Sequence, residues 1–428
     1  MKSKFAKSVL ILSIGGLLTK IISMFIKVIM ARKLGTEGMG IYMMIMPTFT
    51  LLMAVSQLGF PTAISKFVAE DNKNNKNLVF SVIPVSLLFN TIIMAILIFT
   101  SKYISNSLLR EPRAYYALLS IGFVLPFISI SSIIRGYFFG KERMVPHAIS
   151  NVTEDLVRLI IIYFGCAYFV KKGLEYAVCF VVLVNIVSEL TSILILIFFI
   201  PKNFKLSKKD IKPDVVNIKD VFSIGIPTTA SRIIGSVGFF LEPIILSFAL
   251  TKCGYSNSYI VNQYGIISGY VLPLILLPSF FTLGISEALI PQISRSYSKK
   301  NYKDVKIKLK KAIFFSLLIG IPATLIFEII PSIPMKLIYN TYDGINYLKV
   351  LAPIVLFHYI QSPLTSTLQA MGKAKDAMRG TLEGTIIRTI LLLVLSLLNI
   401  GMWGLIIATS VNIVYVTVHQ YLCIKKYI

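Results

Sequence analysis

Long apolar runs, each interrupted by a short polar stretch, recur along the whole chain. Twelve of them are of membrane-spanning length, at about 8–31, 39–60, 78–99, 115–139, 148–170, 174–200, 221–250, 259–291, 311–333, 346–370, 380–400 and 402–424. A span of hydrocarbon takes ~20 mostly apolar residues. Lipid requires each such segment to satisfy its own backbone polar groups, so each run is expected to be a helix. The least marked boundary lies between the last two runs, where only Asn399 and Gly401 signal a turn. The longest polar interruption, PKNFKLSKKDIKPDVVNIKD (201–220), divides the pattern into six runs on either side. The pattern therefore predicts an N-terminal six-helix bundle (1–200), a cytoplasmic linker (201–220) and a C-terminal six-helix bundle (221–428).

Features recur in the same order in both halves. With a shift of 225 residues Gly40 meets Gly265, Leu58 meets Leu283, Gly59 meets Gly284 and Ala63 meets Ala288. Near a shift of 230, Arg158 meets Arg388. Six spans per half preserve orientation, so the expected relation is a parallel repeat, a pseudo-two-fold along the membrane normal. The fold class expected is an all-α polytopic membrane protein with about twelve transmembrane helices in two bundles.

Composition agrees with this pattern. Of 428 residues 56% are hydrophobic and only 14% charged, against roughly 25% charged in soluble domains. The net charge of +24 would suggest nucleic acid in a soluble protein, but here Lys and Arg sit in the short loops. With both termini cytoplasmic, the cytoplasmic segments carry 27 of them and the outer loops 10. That bias predicts a multi-pass plasma-membrane protein with both ends inside, in contact with anionic lipid and not with nucleic acid. Cys166, Cys179, Cys253 and Cys423 form no CxxC pair, so neither a metal site nor a disulfide framework is expected. There is no Walker A, HExxH or GxSxG motif, and neither enzyme activity nor a cofactor is expected.

The candidate chemistry lies in ionisable residues at bilayer depth, each costing ~2.5 kcal/mol or more unless it faces a cavity or a partner. Lys20 and Lys27, seven apart in the first run, share one helical face with no acid in that run to neutralise them. They suit an anionic headgroup, most simply a phosphate. Arg232 lies at the related depth of the seventh run, between Gly225-Ile-Pro227 and Glu242-Pro243. Glu154, Asp155 and Arg158, near Arg135, form an expected ion-pair cluster or gate, with Glu383 and Arg388 as its counterpart in the second half. Glu242 and Glu328 are candidate coupling acids; Glu189, Glu287, Glu328 and His358 read as isolated, each either a proton or cation site or a satisfied interface residue. Trp403 and Tyr42, Tyr103, Tyr255 and Tyr347, near span ends, read as interfacial anchors.

Three stretches carry a family resemblance: LGTEGMGIYMMIMPTFTLLMAVSQLGFPTAISKFVAE (34–70), IIRGYFFGKERMVPHAISNVTEDLVRLI (133–160) and LQAMGKAKDAMRGTLEGTIIR (368–388). Together the chain resembles flippases of the multidrug/oligosaccharidyl-lipid/polysaccharide superfamily, within it the stage V sporulation protein B-like group of the polysaccharide-transporter branch. The resemblance implies two bundles facing each other with alternating access. It also implies a lipid-linked sugar diphosphate as substrate, such as a peptidoglycan precursor, and a role in envelope or spore-cortex assembly. Cavity-lining cations of the first helix would take the diphosphate, and Lys20 and Lys27 occupy that helix here. A coupling ion and contact with envelope synthesis enzymes are compatible with this reading. The first run lacks the acid often found in drug–cation antiporters, which weighs against a cation-coupled multidrug exporter. A non-transporting scaffold for envelope synthesis is the remaining alternative.

Overall fold

The computed structural model describes residues 2–70, 74–200 and 213–428, with side chains from residue 11 onward apart from 12 and 13. Among these residues every regular element is a helix. The chain forms two compact units, 1–240 and 241–428. Of the expected 201–220 linker, residues 201–212 lie outside the described residues.

The first unit begins with α1 (Lys2–Ser56), 55 residues that cover the first two apolar runs. At ~1.5 Å per residue, the apolar stretch Ile14–Glu70 would extend roughly 85 Å, far beyond a single ~30 Å hydrocarbon core. Gly35, at φ 69° and ψ −176°, breaks the helical geometry and supplies the turn between the two spans. After α2 (Phe60–Glu70) come α3 (Asn75–Tyr103), α4 (Tyr115–Gly140), α5 (Met144–Val170), α6 (Leu174–Phe198) and α7 (Val215–Lys252), the last extending beyond this unit. Asn74 caps α3 by accepting from the backbone N–H groups of Lys76 and Asn77. α5 packs against α1 and α6, and α4 against α2, α3 and α6.

The second unit continues with α8 (Asn257–Tyr264), a π-helical segment at 265–271, α9 (Leu272–Ile275) and α10 (Ser279–Ser298). It ends with α11 (Tyr302–Ile329), α12 (Ser332–Tyr339), α13 (Ile345–Ala370), α14 (Ala374–Ser396) and α15 (Trp403–Tyr427). The eighth apolar run is thus a broken span whose two halves bend by 51°. All twelve runs lie largely in helix, the eighth crossing several helical segments and the ninth running from α11 into α12. Among the described residues seven helices are long and apolar enough to cross a membrane, or up to eight if the bent pair is one span. α5 and α14 are 27 and 23 residues long and carry the charged groups described below.

Burial follows membrane logic. Phe99, Phe164 and Phe198 are 83%, 74% and 85% exposed on the outside of the first unit, the faces acyl chains would cover. Hydroxyl and amide groups sit inside instead. Ser56 Oγ donates to Asn90 Oδ1 at 2.5 Å, Asn90 Nδ2 to Ser86 O at 2.8 Å, and Ser129 Oγ to Ser56 O at 3.2 Å. These bonds join α1, α3 and α4 where hydrophobic burial offers little between helices in lipid.

The corner between α1 and α2 is tightly constrained. Leu58 and Gly59 have φ of 47° and 63°. A Cβ on Gly59 would lie 2.5 Å from Gly225 O of α7, and one on Gly225 would collide with Leu58 O. Glycine at both positions lets the two backbones touch. The corresponding break of the second unit falls at Leu276–Pro278, not beside Gly284, so the repeat register read from the sequence does not carry through this corner.

Candidate functional site

α1 presents Lys20, Ser23 and Lys27 along one side at spacings of three and four. Both lysines are exposed, and the described residues give neither an ion pair. Ser23 Oγ, between them, donates to Asp155 Oδ2 of α5 at 3.4 Å. The cationic face therefore runs beside the charged part of α5. At the end of the same helix Lys33 is engaged elsewhere, with its Nζ 5.1 Å from the centre of the Tyr163 ring.

The charged group on α4, α5 and α6 is continuous. Arg135 Nη2 lies 2.5 Å from Glu154 Oε2 and 3.5 Å from Glu189 Oε2, and donates to Ser192 Oγ at 2.8 Å. Arg158 Nη2 meets Glu154 Oε1 at 2.7 Å, and its Nη1 meets Asp155 Oδ1 at 2.7 Å. Ser131 Oγ donates to Glu189 Oε2 at 2.5 Å. Three carboxylates and two guanidiniums are thus held together, each side chain no more than 20% exposed. Arg135 Nε and Arg158 Nε are buried with no hydrogen-bond partner among the described residues. Arg135, Glu154, Asp155 and Arg158 come together as the sequence suggests. Glu189 does not stand alone: it belongs to this group, and no local signal in α6 reveals its partner on α4.

Arg232 lies on α7 next to the tight corner. Its Nη1 donates to Gln57 Oε1 at 2.8 Å, and it is exposed. No described contact joins it to Lys20 or Lys27.

In the second unit Glu242 is held from two sides. Arg388 Nη2 of α14 bonds its Oε2, and Tyr264 OH donates to its Oε1 at 2.9 Å. Both charged side chains are 7% exposed. Arg388 Nε also reaches Thr409 Oγ1 at 3.4 Å. Glu383 has different partners: Arg379 Nε at 2.7 Å, Tyr415 OH at 2.8 Å and His419 Nε2 at 3.6 Å. The expected counterpart of the first-half cluster is therefore two separate groups. Residues five apart are turned by roughly 140° about a helix, so Glu383 and Arg388 face different neighbours. Arg379 and Glu383, four apart, share a face and pair. Glu328 is exposed near the end of α11, with no ion pair among the described residues. His358 bonds Gln361 Oε1 at 3.1 Å.

A family model described as polysaccharide biosynthesis protein matches residues 5–253, and the MatE model matches 267–395. Stage V sporulation protein B of Bacillus subtilis is 34% identical, over 99% of this chain and 84% of its own length. The lipid II flippase MurJ of Bacillus subtilis is 21% identical, over 100% of this chain and 84% of its own. A solved lipid II flippase in an inward closed conformation superposes with a TM-score of 0.71 at 16% identity, covering 97% of this chain and 87% of that one. The chain is an all-α multi-pass membrane protein belonging to the polysaccharide biosynthesis protein family of transporters.

Proposed function

We propose that the protein is a flippase for an anionic lipid-linked oligosaccharide, a polyprenyl-diphosphate sugar such as a peptidoglycan precursor, serving envelope or spore-cortex assembly. The observation that carries this reading is the Lys20–Ser23–Lys27 face. It has two exposed ammonium groups, no described ion pair on either, and a fixed position against α5. A diphosphate cannot leave water for a bilayer without compensating charge, and two lysines one face apart supply it. Lysine acts as a point charge without the guanidinium fork, so this face attracts phosphate with little demand on its orientation. Arg232, exposed on α7, is a further cation for the same headgroup.

The Arg135–Glu154–Arg158–Asp155–Glu189 group has a supporting part in this reading. Three free carboxylates beside Lys20 and Lys27 would cancel their field. The two arginines hold those carboxylates in short pairs and leave the lysines free. The buried, unpaired Nε atoms of both arginines add donors for water or a headgroup oxygen. In the second unit Arg388 already neutralises Glu242, so ion coupling there requires the pair to open. Among the described residues Glu328 carries no such pair, which makes it the freer of the two coupling candidates. In this scheme the chain lies in a bacterial plasma membrane with both termini cytoplasmic, residues 1–200 and 221–428 forming the two halves. A charge that moves across 100 mV carries ~2.3 kcal/mol, enough to bias such a cycle.

The test is translocation of fluorescent lipid II in proteoliposomes, read by its protection from a membrane-impermeant quencher. The expected result is transport of lipid II and none of an uncharged polyprenyl glycoside. Equal transport of both would exclude a diphosphate-reading site, and transport of neither would exclude this substrate class.

A further inference from the structure

One end of the second unit carries a cavity of about 520 Å³ lined by Gln263, Tyr342, Asp343, Asn346, Tyr347 and Trp403, among others. Its walls are the start of α13, the start of α15 and α8. In the sequence Tyr347 and Trp403 read simply as interfacial anchors. An anchor ring needs no concave site and turns its polar tip toward headgroups. Here Tyr347 OH instead donates inward to Gln263 Oε1 at 2.9 Å, and its ring meets Trp403 edge-on at 5.0 Å between centres.

The loop that lines one side of the cavity is held in place. Gly344 has φ 87°, and a Cβ there would lie 2.5 Å from Ile266 Cγ2, so the loop rests directly on the π-helical segment. Such segments are frequent at functional sites. Thr341 Oγ1 donates to Asp343 Oδ2 at 2.9 Å and accepts from Asp343 N–H at 3.1 Å, which fixes the carboxylate's position. Lys336 Nζ sits 5.0 Å from the centre of the Tyr342 ring and covers that ring from one side.

The chemistry of the lining narrows the ligand. Aromatic rings offer flat apolar faces, and one carboxylate and two amides offer acceptors and donors beside them. No lining residue is basic, and the neighbouring Lys336 ammonium is set over the Tyr342 ring, so the lining itself offers no cation to a diphosphate. Ring faces that take the C–H side of a pyranose, with amides and a carboxylate at its hydroxyls, match an uncharged sugar. We propose that this cavity, formed by Gln263, Tyr342, Asp343, Asn346, Tyr347 and Trp403, is a saccharide-binding site separate from the cationic face of α1. The proposal rests on the flippase reading for why a sugar arrives at this face, which the charge bias of the loops places outside. The site would receive the sugar part of the substrate after the diphosphate has crossed.

Trp403 is the chain's single tryptophan, so its fluorescence reports this cavity alone. The experiment titrates the full chain, in amine-oxide micelles free of sugar detergents, with N,N′-diacetylchitobiose, sodium pyrophosphate and tetramethylammonium chloride. The expected result is a saturable emission change and protection from acrylamide with the disaccharide only. Asp343→Asn or Asn346→Ala should weaken it about tenfold, the scale of one hydrogen bond to a charged or well-placed group. No saturable response, an unaltered response in both variants, or a larger response to pyrophosphate or tetramethylammonium would overturn the proposal. Lipid II translocation measured on the same preparation separates the two readings. Transport without a sugar response removes this site alone, and a sugar response without transport removes the flippase reading and leaves the site.

Discussion

Replacing Arg388 by methionine should destabilise the protein more than replacing Arg388 and Glu242 together. Both side chains are 7% exposed, and Glu242 is held only by Arg388 and Tyr264 OH among the described residues. Removing the arginine leaves a carboxylate at bilayer depth with one neutral donor. Breaking a buried pair from one side costs about 3–5 kcal/mol, whereas replacing both partners with groups of similar volume is near neutral. The second unit spans residues 241–428. For a unit of that size each kcal/mol corresponds to ~2–4 °C, so the single variant should melt roughly 6–20 °C lower. The assay is thermal unfolding in detergent followed by tyrosine and tryptophan emission, with size-exclusion profiles to confirm a monodisperse starting state. Arg388→Met should show the large drop, Glu242→Gln a smaller one, and Glu242→Gln/Arg388→Met should recover most of the loss. A double variant as unstable as Arg388→Met would refute the reasoning, because the cost would then lie in packing and not in an uncompensated charge.

Other expectations follow from the same geometry. Gly59→Ala places a Cβ 2.5 Å from Gly225 O at a φ of 63°, so folded yield should fall sharply, while Gly16→Ala, with nothing within 4 Å of its Cβ, should be tolerated; expression-level fluorescence of a fusion reads both. Arg135→Gln leaves Glu154 held by Arg158 but takes the guanidinium from Glu189 near the cationic face, so lipid II transport should fall while adding Glu189→Gln restores part of it. Ser23→Ala removes a single bond of 3.4 Å to Asp155, so unfolding temperature should shift by only a few degrees, in line with about 0.5–1.5 kcal/mol.

Much of the architecture was legible because lipid imposes a single answer on an apolar run: all twelve runs lie largely in helix. The ion pairs that a helix brings together locally were legible too, as with Glu154 and Arg158 at i, i+4. Of the pairs made between helices, Arg135 with Glu154 was read from neighbouring runs, but those between distant runs were not. Glu242 and Arg388 are 146 residues apart, and nothing in either neighbourhood names the other. Glu189 read as isolated because its guanidinium comes from α4. Glu383 was grouped with Arg388 by analogy with the first half, but a spacing of five replaces four and sends the side chains to different faces. Backbone breaks were partly visible: Gly35 turns where a loop was expected, whereas the Leu58–Gly59 corner depends on a contact with Gly225 that spacing alone does not reveal.

The central claim is that the Lys20–Lys27 face of α1 takes the diphosphate. The most direct measurement compares lipid II translocation by wild type, Lys20→Ala/Lys27→Ala and Lys20→Arg/Lys27→Arg in proteoliposomes, each variant first shown to be folded. The account predicts transport by wild type, loss of at least tenfold in the alanine pair, and substantial retention in the arginine pair, since charge and not fork geometry is what the face supplies. Undiminished transport by a folded alanine pair would contradict it and transfer the headgroup site to Arg232 or to the arginines of the ion-pair cluster.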